Sequence, residues 1–144
     1  MPRSAESIAW NTALEADFRA NAGQITSGPM RGRALLLMTT IGAKSGQPRV
    51  SALAYTRDGD EYVVVGSNSG APVNPDWIAN IEANPVVTVE VGPETFRARA
   101  SIAAAEERSR LWDAHVAVLP AFLEYLKITD RELPVVTLER IASA

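Results

Sequence analysis

The chain has 144 residues, a net charge of −3, 47% hydrophobic residues and 22% charged residues. These values predict one soluble globular domain over residues 1–144, built around a single core. The acidic balance and the low aromatic content argue against a nucleic-acid partner. Cysteine is absent and histidine occurs once, which excludes disulfides and argues against a metal site.

The N-terminal region carries no recognisable export signal. Glu6, Glu15 and Asp17 lie within the first twenty residues, and no apolar signal-peptide core is present. The apolar run Ala34–Ile41 is too short to span a bilayer. We therefore expect a cytoplasmic protein, and a peripheral membrane contact through the N-terminal helix stays open.

The first predicted element is a helix over Ser4–Ala22, with Ser4 as its N-cap and Gly23 just past its end. One edge of this helix is apolar at a spacing of four residues: Trp10, Leu14 and Phe18. Trp10 could roof a ligand site or simply pack against the core, and both interpretations stay open. A turn-rich loop containing Gly28-Pro29 then leads into the first strand.

The remainder of the chain alternates short strands with turns and helices. The predicted strands are Ala34–Ile41, Pro48–Arg57, Glu61–Ser67, Val86–Val91, Thr95–Ala103 and Pro134–Leu138. One helix is expected from its N-cap Asn74 to about Ala83, where Asn84-Pro85 ends it. Two more helices are predicted over Ala105–Val118 and from Pro120 to about Ile128. About six antiparallel strands with three or four helices predict an α+β fold with a barrel-like sheet.

A window of forty residues, Phe18 to Arg57, contains no acidic residue. Its charge of +6 is balanced by −9 in the rest of the chain. The basic residues are Arg19, Arg31, Arg33, Lys44, Arg49 and Arg57. Near its middle, the small-residue turn Gly42–Gly46 places backbone N–H groups beside Lys44, and Arg49 begins the next strand. Such a turn can cradle an anion. The window therefore predicts that a polyanionic ligand is held at one place.

Other catalytic chemistries find little support. His115, the sole histidine, lies mid-helix and no nucleophile elbow is present, so a structural role is expected. The Gly42–Gly46 turn lacks phosphate-loop spacing and precedes a strand rather than a helix, which makes it an anion loop or a plain surface hairpin. The indole of Trp77 would suit a flat heterocycle, yet ordinary core packing explains it equally well.

Several segments in order resemble one known family. They are Leu36–Arg49, Asp58–Ser67, Gly70-Ala71-Pro72, Asn74-Pro75-Asp76-Trp77, Asn80, Asn84-Pro85, Glu107-Arg108 and Thr129–Val136. Together they are similar to the family of deazaflavin-dependent nitroreductases and F420H2-dependent quinone reductases, actinobacterial enzymes that use coenzyme F420, an 8-hydroxy-5-deazaflavin. The similarity runs from about Leu35 to Leu138, which is most of the chain.

The resemblance implies a split β-barrel, related to FMN-binding barrels, with the deazaflavin in a groove on the barrel. The residues implied to hold the phosphate and acidic tail are Ala43, Lys44, Ser45, Arg49, Val50, Ser51, Ala52, Leu53 and Ala54. The residues implied to flank the ring system are Val65, Gly66, Ser67, Asn68, Asp76, Trp77, Ile78, Ala79 and Asn80. Phe122 takes the position of the first of two tyrosines that family members often carry, so one polar contact is missing.

The implied activity is hydride transfer from reduced F420 to an electron-poor small molecule. Quinones, unsaturated carbonyls or lactones, and nitroaromatics are the expected acceptors, with Tyr125 and Ser67 as candidate hydroxyl donors. Two alternatives stay open: an FMN-dependent oxidoreductase on the same barrel, and a non-catalytic carrier of a lipid or tetrapyrrole. A monomer and a homodimer are both compatible with the resemblance.

Overall fold

The computed structural model describes residues 5–28 and 30–143, without the side chains of residues 5–11, 69 and 143. Three α-helices are present in this part of the chain: α1 (Ala5–Ala20), α2 (Asp76–Ala83) and α3 (Ala105–Val118). The strands are β1 (Leu35–Ile41), β2 (Pro48–Ala54), β3 (Thr56–Asp58), β4 (Glu61–Val65), β5 (Val86–Val91), β6 (Glu94–Ile102) and β7 (Val135–Ser143). Two 3-10 helices cover Asn68–Gly70 and Pro120–Lys127.

The strands form a single antiparallel sheet that closes on itself. Its hydrogen-bonded order is β2-β1-β5-β6-β7-β4-β3, so β2 and β3 lie at opposite edges. Tyr55 alone separates these two strands along the chain. One residue can join the two edges only if the sheet is rolled into a barrel, with an unpaired seam between β2 and β3. This confirms the predicted α+β fold with an antiparallel, barrel-like sheet.

The two faces of β1 show how the core is divided. Leu36 and Met38 point into the barrel, where they pack with residues of β4 to β7 and of α2. Leu35 and Leu37 point outward and pack against Leu14 and other residues of the α1 region. All four strand residues are at most 3% exposed, which explains why this strand is apolar without alternation.

A second outer layer covers β4 and β7. Leu111 of α3 packs there on Val63 and Val135, together with Leu133. The 3-10 helix Pro120–Lys127 lies beside it and contributes Phe122 and Tyr125 as partly buried neighbours. No helix within the described residues is both long and apolar enough to cross a membrane.

Two strand predictions need correction. The single strand predicted over Pro48–Arg57 is two strands, because the parts before and after Tyr55 pair with β1 and β4 respectively. The last strand extends to Ser143 instead of ending at Leu138, because its second half pairs with β6 across a β-bulge. The sheet consequently has seven strands rather than about six.

The helix ends were predicted with mixed success. Gly23 follows α1 as expected, with a φ of +87° and its N–H donated to the Phe18 carbonyl. Asn74 is not the N-cap of α2: Pro75 occupies that position, and the Asn74 side chain accepts a hydrogen bond from Arg131 instead. Ser4, Pro29 and the side chain of Trp10 lie outside the described residues.

The sole histidine is a buried structural residue of the α3 layer. His115 is 0% exposed, its Nδ1 lies 2.8 Å from the Thr56 hydroxyl, and its ring meets Phe122 edge to face. Its Nε2 is buried without a hydrogen-bond partner among the described residues. Burial disfavours the charged imidazolium and lowers the pKa of His115 from 6.5 to about 4.

We predict a pH-dependent stability that originates at His115. Between pH 6.5 and pH 4 the unfolded chain binds a proton at this position while the folded chain does not. The free energy of unfolding should therefore fall over this window by about 2–3 kcal/mol, and His115 should contribute no further change at lower pH. Urea unfolding of the wild type and of His115→Gln across pH 4–7 isolates this contribution, because carboxylate titrations cancel in the difference. Identical pH dependences of the two proteins would contradict the assignment.

Candidate functional site

One end of the barrel gathers most of the predicted site residues. Here β1 and β4 finish and β7 begins, and α2 contacts the ends of β1 and β4. Ile78 of α2 lies against Gly66: a Cβ on this glycine would come 3.1 Å from Ile78 Cδ1 and 2.9 Å from Pro134 Cγ. Asn80, two residues further along α2, contacts the end of β1 and the turn after it. α2 thus connects the predicted anion turn with the end of β4.

The turn between β1 and β2 is closed by its own hydrogen bonds. Gly42 donates its N–H to the Gln47 carbonyl at 2.8 Å, and Gly46 donates to the Gly42 carbonyl at 2.9 Å. The Ser45 hydroxyl accepts from the Gln47 N–H at 3.2 Å. Gly46 has a φ of +70°, a conformation that favours glycine. The small residues of this segment therefore serve the geometry of the turn.

A buried amide fixes the start of the turn. Asn80 Oδ1 accepts the Ala43 N–H at 2.9 Å, and Asn80 Nδ2 donates to the Thr40 hydroxyl at 3.0 Å. Thr40 is fully buried and Asn80 is 6% exposed. Buried polar groups that satisfy one another in this way make a local conformation specific.

The next two backbone N–H groups have no protein acceptor. Lys44 and Ser45 are exposed, and neither donates its N–H to another described residue. The Lys44 side chain forms no ion pair within the described chain, and Arg49 bonds only the carbonyl of its neighbour Pro48. Arg49 pairs with Thr40 across the hairpin, which places both side chains on the α2 side of the sheet. Free donors and uncompensated cations therefore coincide at this turn, as an anion site requires.

The cations of the acid-free window do not all converge on this turn, which corrects the prediction of one basic centre. Arg19 is neutralised by Glu90 through two hydrogen bonds of 2.9 Å. Arg31 and Arg33 are exposed and without ion pairs among the described residues, but they precede β1, whereas Lys44 follows it. Seven extended residues separate the two ends of that strand by roughly 20 Å. Arg57 lies over the ring of Tyr62, with its guanidinium carbon 4.0 Å from the ring centre.

Arg131 organises the loop that follows β4. Its guanidinium donates to the carbonyls of Gly66, Ser67 and Ala71 at 2.9–3.2 Å and also to the Asn74 side chain. The planar fork of arginine suits several acceptors at once. The carbonyls of a loop have no neighbouring strand to donate hydrogen bonds to them. Here one side chain, Arg131, supplies those hydrogen bonds.

The predicted contact strand β2 is divided between two faces. Val50, Ala52 and Ala54 pack against the α1 layer. Leu53 borders the barrel interior, and Ser51 lies opposite the interior residue Met38. Within α2, Trp77 is 5% exposed and belongs to the interior core, so its indole packs as a core residue, one of the two interpretations left open above. Asp76 and Ala79 remain exposed.

Tyr125 and Phe122 lie on the outer face of β4 and β7 rather than inside the barrel. Their rings meet edge to face with centres 5.5 Å apart, and both are half-buried. The segment after them reaches the site loop, because a Cβ on Gly70 would come 3.3 Å from Ile128. The Tyr125 and Ser67 hydroxyls form no hydrogen bond with any described residue. Both candidate donors are thus free to bond a ligand.

Comparison with known proteins identifies the family. Residues 11–140 match the family described as F420H(2)-dependent quinone reductase. The chain belongs to this family. An F420H(2)-dependent quinone reductase of Mycobacterium tuberculosis is 36% identical over 129 residues, which cover 88% of this chain and 87% of that protein.

Two solved structures support the same membership in the quinone reductase family. One, described as an F420-H2 dependent reductase, has a TM-score of 0.68 and 37% identity, and covers 74% of this chain and 95% of its own. The other, described as a domain-swapped dimer, has a TM-score of 0.70 and 31% identity, and covers 93% and 98% respectively. These matches confirm the predicted family, its split-barrel fold, its oxidoreductase class and coenzyme F420 as the family's coenzyme.

Two side chains that organise the site were not predicted to do so. Arg131 lies between Asp130 and Glu132 in sequence, which suggests a solvated charge cluster. Its real acceptors are carbonyls about sixty residues away in the chain, and carbonyl positions leave no trace in a sequence. Thr40 looks like an ordinary strand residue until Asn80 is brought beside it.

We predict that Arg131→Lys loosens the loop between Gly66 and Asn74 without unfolding the barrel. Lysine keeps the charge but cannot bridge four separated acceptors, so stability should fall by about 1–3 kcal/mol. Hydrogen–deuterium exchange should show faster exchange in residues 66–74 and unchanged exchange in β5 and β6. Arg99→Lys, at an exposed β6 position without a partner among the described residues, is the matched control. Equal effects of the two variants would refute the role of Arg131.

Proposed function

We propose that this protein transfers a hydride from reduced coenzyme F420 to an electron-poor acceptor at the barrel end described above. In this proposal the coenzyme's phosphate and acidic tail occupy the Gly42–Gly46 turn. Its deazaflavin ring extends from there toward the end of β4 and the Asn68–Gly70 segment. The reduced coenzyme supplies the hydride when bound, and the protein supplies binding, orientation and a proton.

The turn is the observation that carries this proposal. It offers the unpaired N–H groups of Lys44 and Ser45, together with the Lys44 and Arg49 side chains, neither of which has a carboxylate partner among the described residues. These groups match a phosphate and a string of carboxylates in charge and in hydrogen-bond polarity. The coenzyme class of the family and the site's chemistry therefore agree.

Tyr125 and Ser67 would serve the acceptor. A carbonyl acceptor that gains a hydride develops negative charge on oxygen, and a hydroxyl donor nearby stabilises that charge. Arg131 holds the Ser67 carbonyl at 2.9 Å, which positions this residue at the end of β4. The phenol of Tyr125 is half-buried between apolar neighbours, so its hydroxyl is held without a competing protein acceptor.

Quinones are the acceptor class that we favour, because the M. tuberculosis relative is named a quinone reductase. Unsaturated carbonyls and lactones present the same polarised carbonyl and are the next candidates. Nitroaromatics need polar contacts to the nitro group, and the phenyl ring at Phe122 offers none. A peripheral membrane contact through α1 stays a prediction, since the side chains of residues 5–11 lie outside the described ones. A homodimer is also a prediction, which the domain-swapped dimer among the similar structures makes worth testing.

We predict that Lys44→Ala and Arg49→Ala each weaken F420 binding by about tenfold or more, because each removes a charge-assisted contact to the anionic tail. Fluorescence polarisation of the coenzyme measures this at two salt concentrations. Arg33→Ala is the matched control, since it removes a cation from the other end of β1 that is also exposed and has no ion pair among the described residues. Both site variants should also reduce the dependence of affinity on salt.

FMN is titrated in parallel to decide between cofactors. Tight binding of FMN with no binding of F420 would replace the proposal with an FMN-dependent oxidoreductase. Binding of neither compound would leave a carrier on the same barrel as the better explanation. If Arg33→Ala weakens F420 binding as much as Lys44→Ala does, the proposed placement of the anionic tail at the turn is wrong.

We predict that Tyr125→Phe lowers the turnover number with a quinone acceptor by at least about tenfold, because it removes the proton donor. The affinity for F420 should change less than twofold. Oxidation of reduced F420, followed by absorbance, measures both quantities. Tyr55→Phe removes a hydroxyl at the seam between β2 and β3 and should leave turnover unchanged. Full activity of Tyr125→Phe on every reduced acceptor would assign the proton to another donor.

A further inference from the structure

Asn80 and Thr40 form a buried polar pair beneath the anion turn. We propose that they are positioning residues, which preorganise the turn and thereby set the affinity for the anionic tail of the coenzyme. The resemblance implies Asn80 as a direct coenzyme contact, whereas the geometry gives it a different role. This inference rests on the proposed function and deepens it.

The hydrogen bonds of Asn80 leave little room for a direct contact. The Ala43 backbone N–H can only donate, so the amide oxygen of Asn80 must face it, at 2.9 Å. The amide nitrogen then necessarily faces the Thr40 hydroxyl, at 3.0 Å. With 6% of its surface exposed, Asn80 uses both polar atoms inside the protein. No other residue type places a donor and an acceptor in this arrangement at the same length.

Asn80 bonds one backbone N–H group of the turn and leaves the next two available. Ala43 is bonded inward to Asn80, while the N–H groups of Lys44 and Ser45, the next two in the chain, have no acceptor among the described residues. Anchoring Ala43, the second residue of the turn, from beneath thus leaves the following two donors available to a ligand. A turn ordered before binding loses less conformational freedom when the anion arrives, and the affinity is higher for that reason.

The support beneath the pair is well packed. Trp77, Ile78 and Ile81 of α2 are buried in the barrel core and hold the helix in place on either side of Asn80. Thr40 belongs to β1, which is bonded to β2 on one side and to β5 on the other. The clamp therefore connects a helix packed on the core to β1, which has a strand partner on each side, and it holds the turn at Ala43.

The experiment compares two ligands that share a ring system. One is coenzyme F420, and the other is its deazaflavin–ribitol fragment, which lacks the phosphate and the acidic tail. We expect Asn80→Ala and Thr40→Val to weaken F420 binding by about tenfold. Binding of the fragment should change less than twofold, because only the tail contacts the turn.

Two further variants separate positioning from general destabilisation. Thr40→Ser keeps the hydroxyl that accepts from Asn80 and should restore F420 affinity to within about twofold of the wild type. Thr137→Val removes another buried threonine hydroxyl, which bonds the Ser101 carbonyl on β6, and should leave both affinities unchanged. Thermal unfolding of every variant reports its stability. If Asn80→Ala does not fold, the comparison of Thr40→Val with Thr40→Ser still tests the proposal.

Each remaining outcome has a definite meaning. Equal losses for F420 and the fragment in Asn80→Ala and Thr40→Val would overturn the proposal and make these residues general supports of the barrel end. Unchanged F420 affinity in both variants would also overturn it. Failure of the wild type to bind F420 would instead refute the proposed function, and this is measured before any variant is made.

Discussion

The continuity of β2 and β3 through Tyr55 is the constraint on which the rest of the structure depends. Joining the two sheet edges through one residue forces the sheet into a barrel and so creates an inner and an outer face on every strand. The inner face is filled by aliphatic and aromatic side chains from five strands and from α2. The outer faces are covered by α1 on one side and by α3 on the other. One end of the barrel, where β1 and β4 finish, carries the proposed site.

That end is built from turns and loops, whose backbone groups have no strand partners. Two side chains supply the missing hydrogen bonds from distant parts of the chain: Asn80 beneath the turn after β1, and Arg131 beneath the loop after β4. Asn80 lies on the buried face of α2, and Arg131 lies two residues before the buried Leu133, so both are anchored next to core residues. Preorganised donors of this kind are worth more to a charged ligand than mobile ones.

The cationic side chains divide into those with structural partners and those available to a ligand. Arg19 of α1 and Arg110 of α3 pair with acids on β5 and β3, and Arg108 of α3 bonds the Leu133 carbonyl just before β7. Lys44 and Arg49 are left unpaired by the described residues, at the point where backbone donors are also unpaired. A protein gains little stability from such exposed groups. The acid-free segment around them means that no carboxylate lies near them in the sequence. This arrangement is suited to binding an anion.

The sequence by itself determined the local features. Apolar runs and glycine turns located most strands and helices. The motifs from Leu36 to Arg49 and from Thr129 to Val136 indicated the family, and the small-residue turn indicated the anion site that we propose. Those features depend on contacts between residues close together in the chain. Only the tertiary structure decided that one predicted strand is two strands at opposite edges of the sheet, and that cations of the basic window lie at both ends of β1. It also decided that Trp77 packs in the core and that Asn80 and Arg131 bond backbone atoms. Each of these features depends on which distant segments meet when the barrel forms. A local sequence pattern carries no information about such long-range contacts.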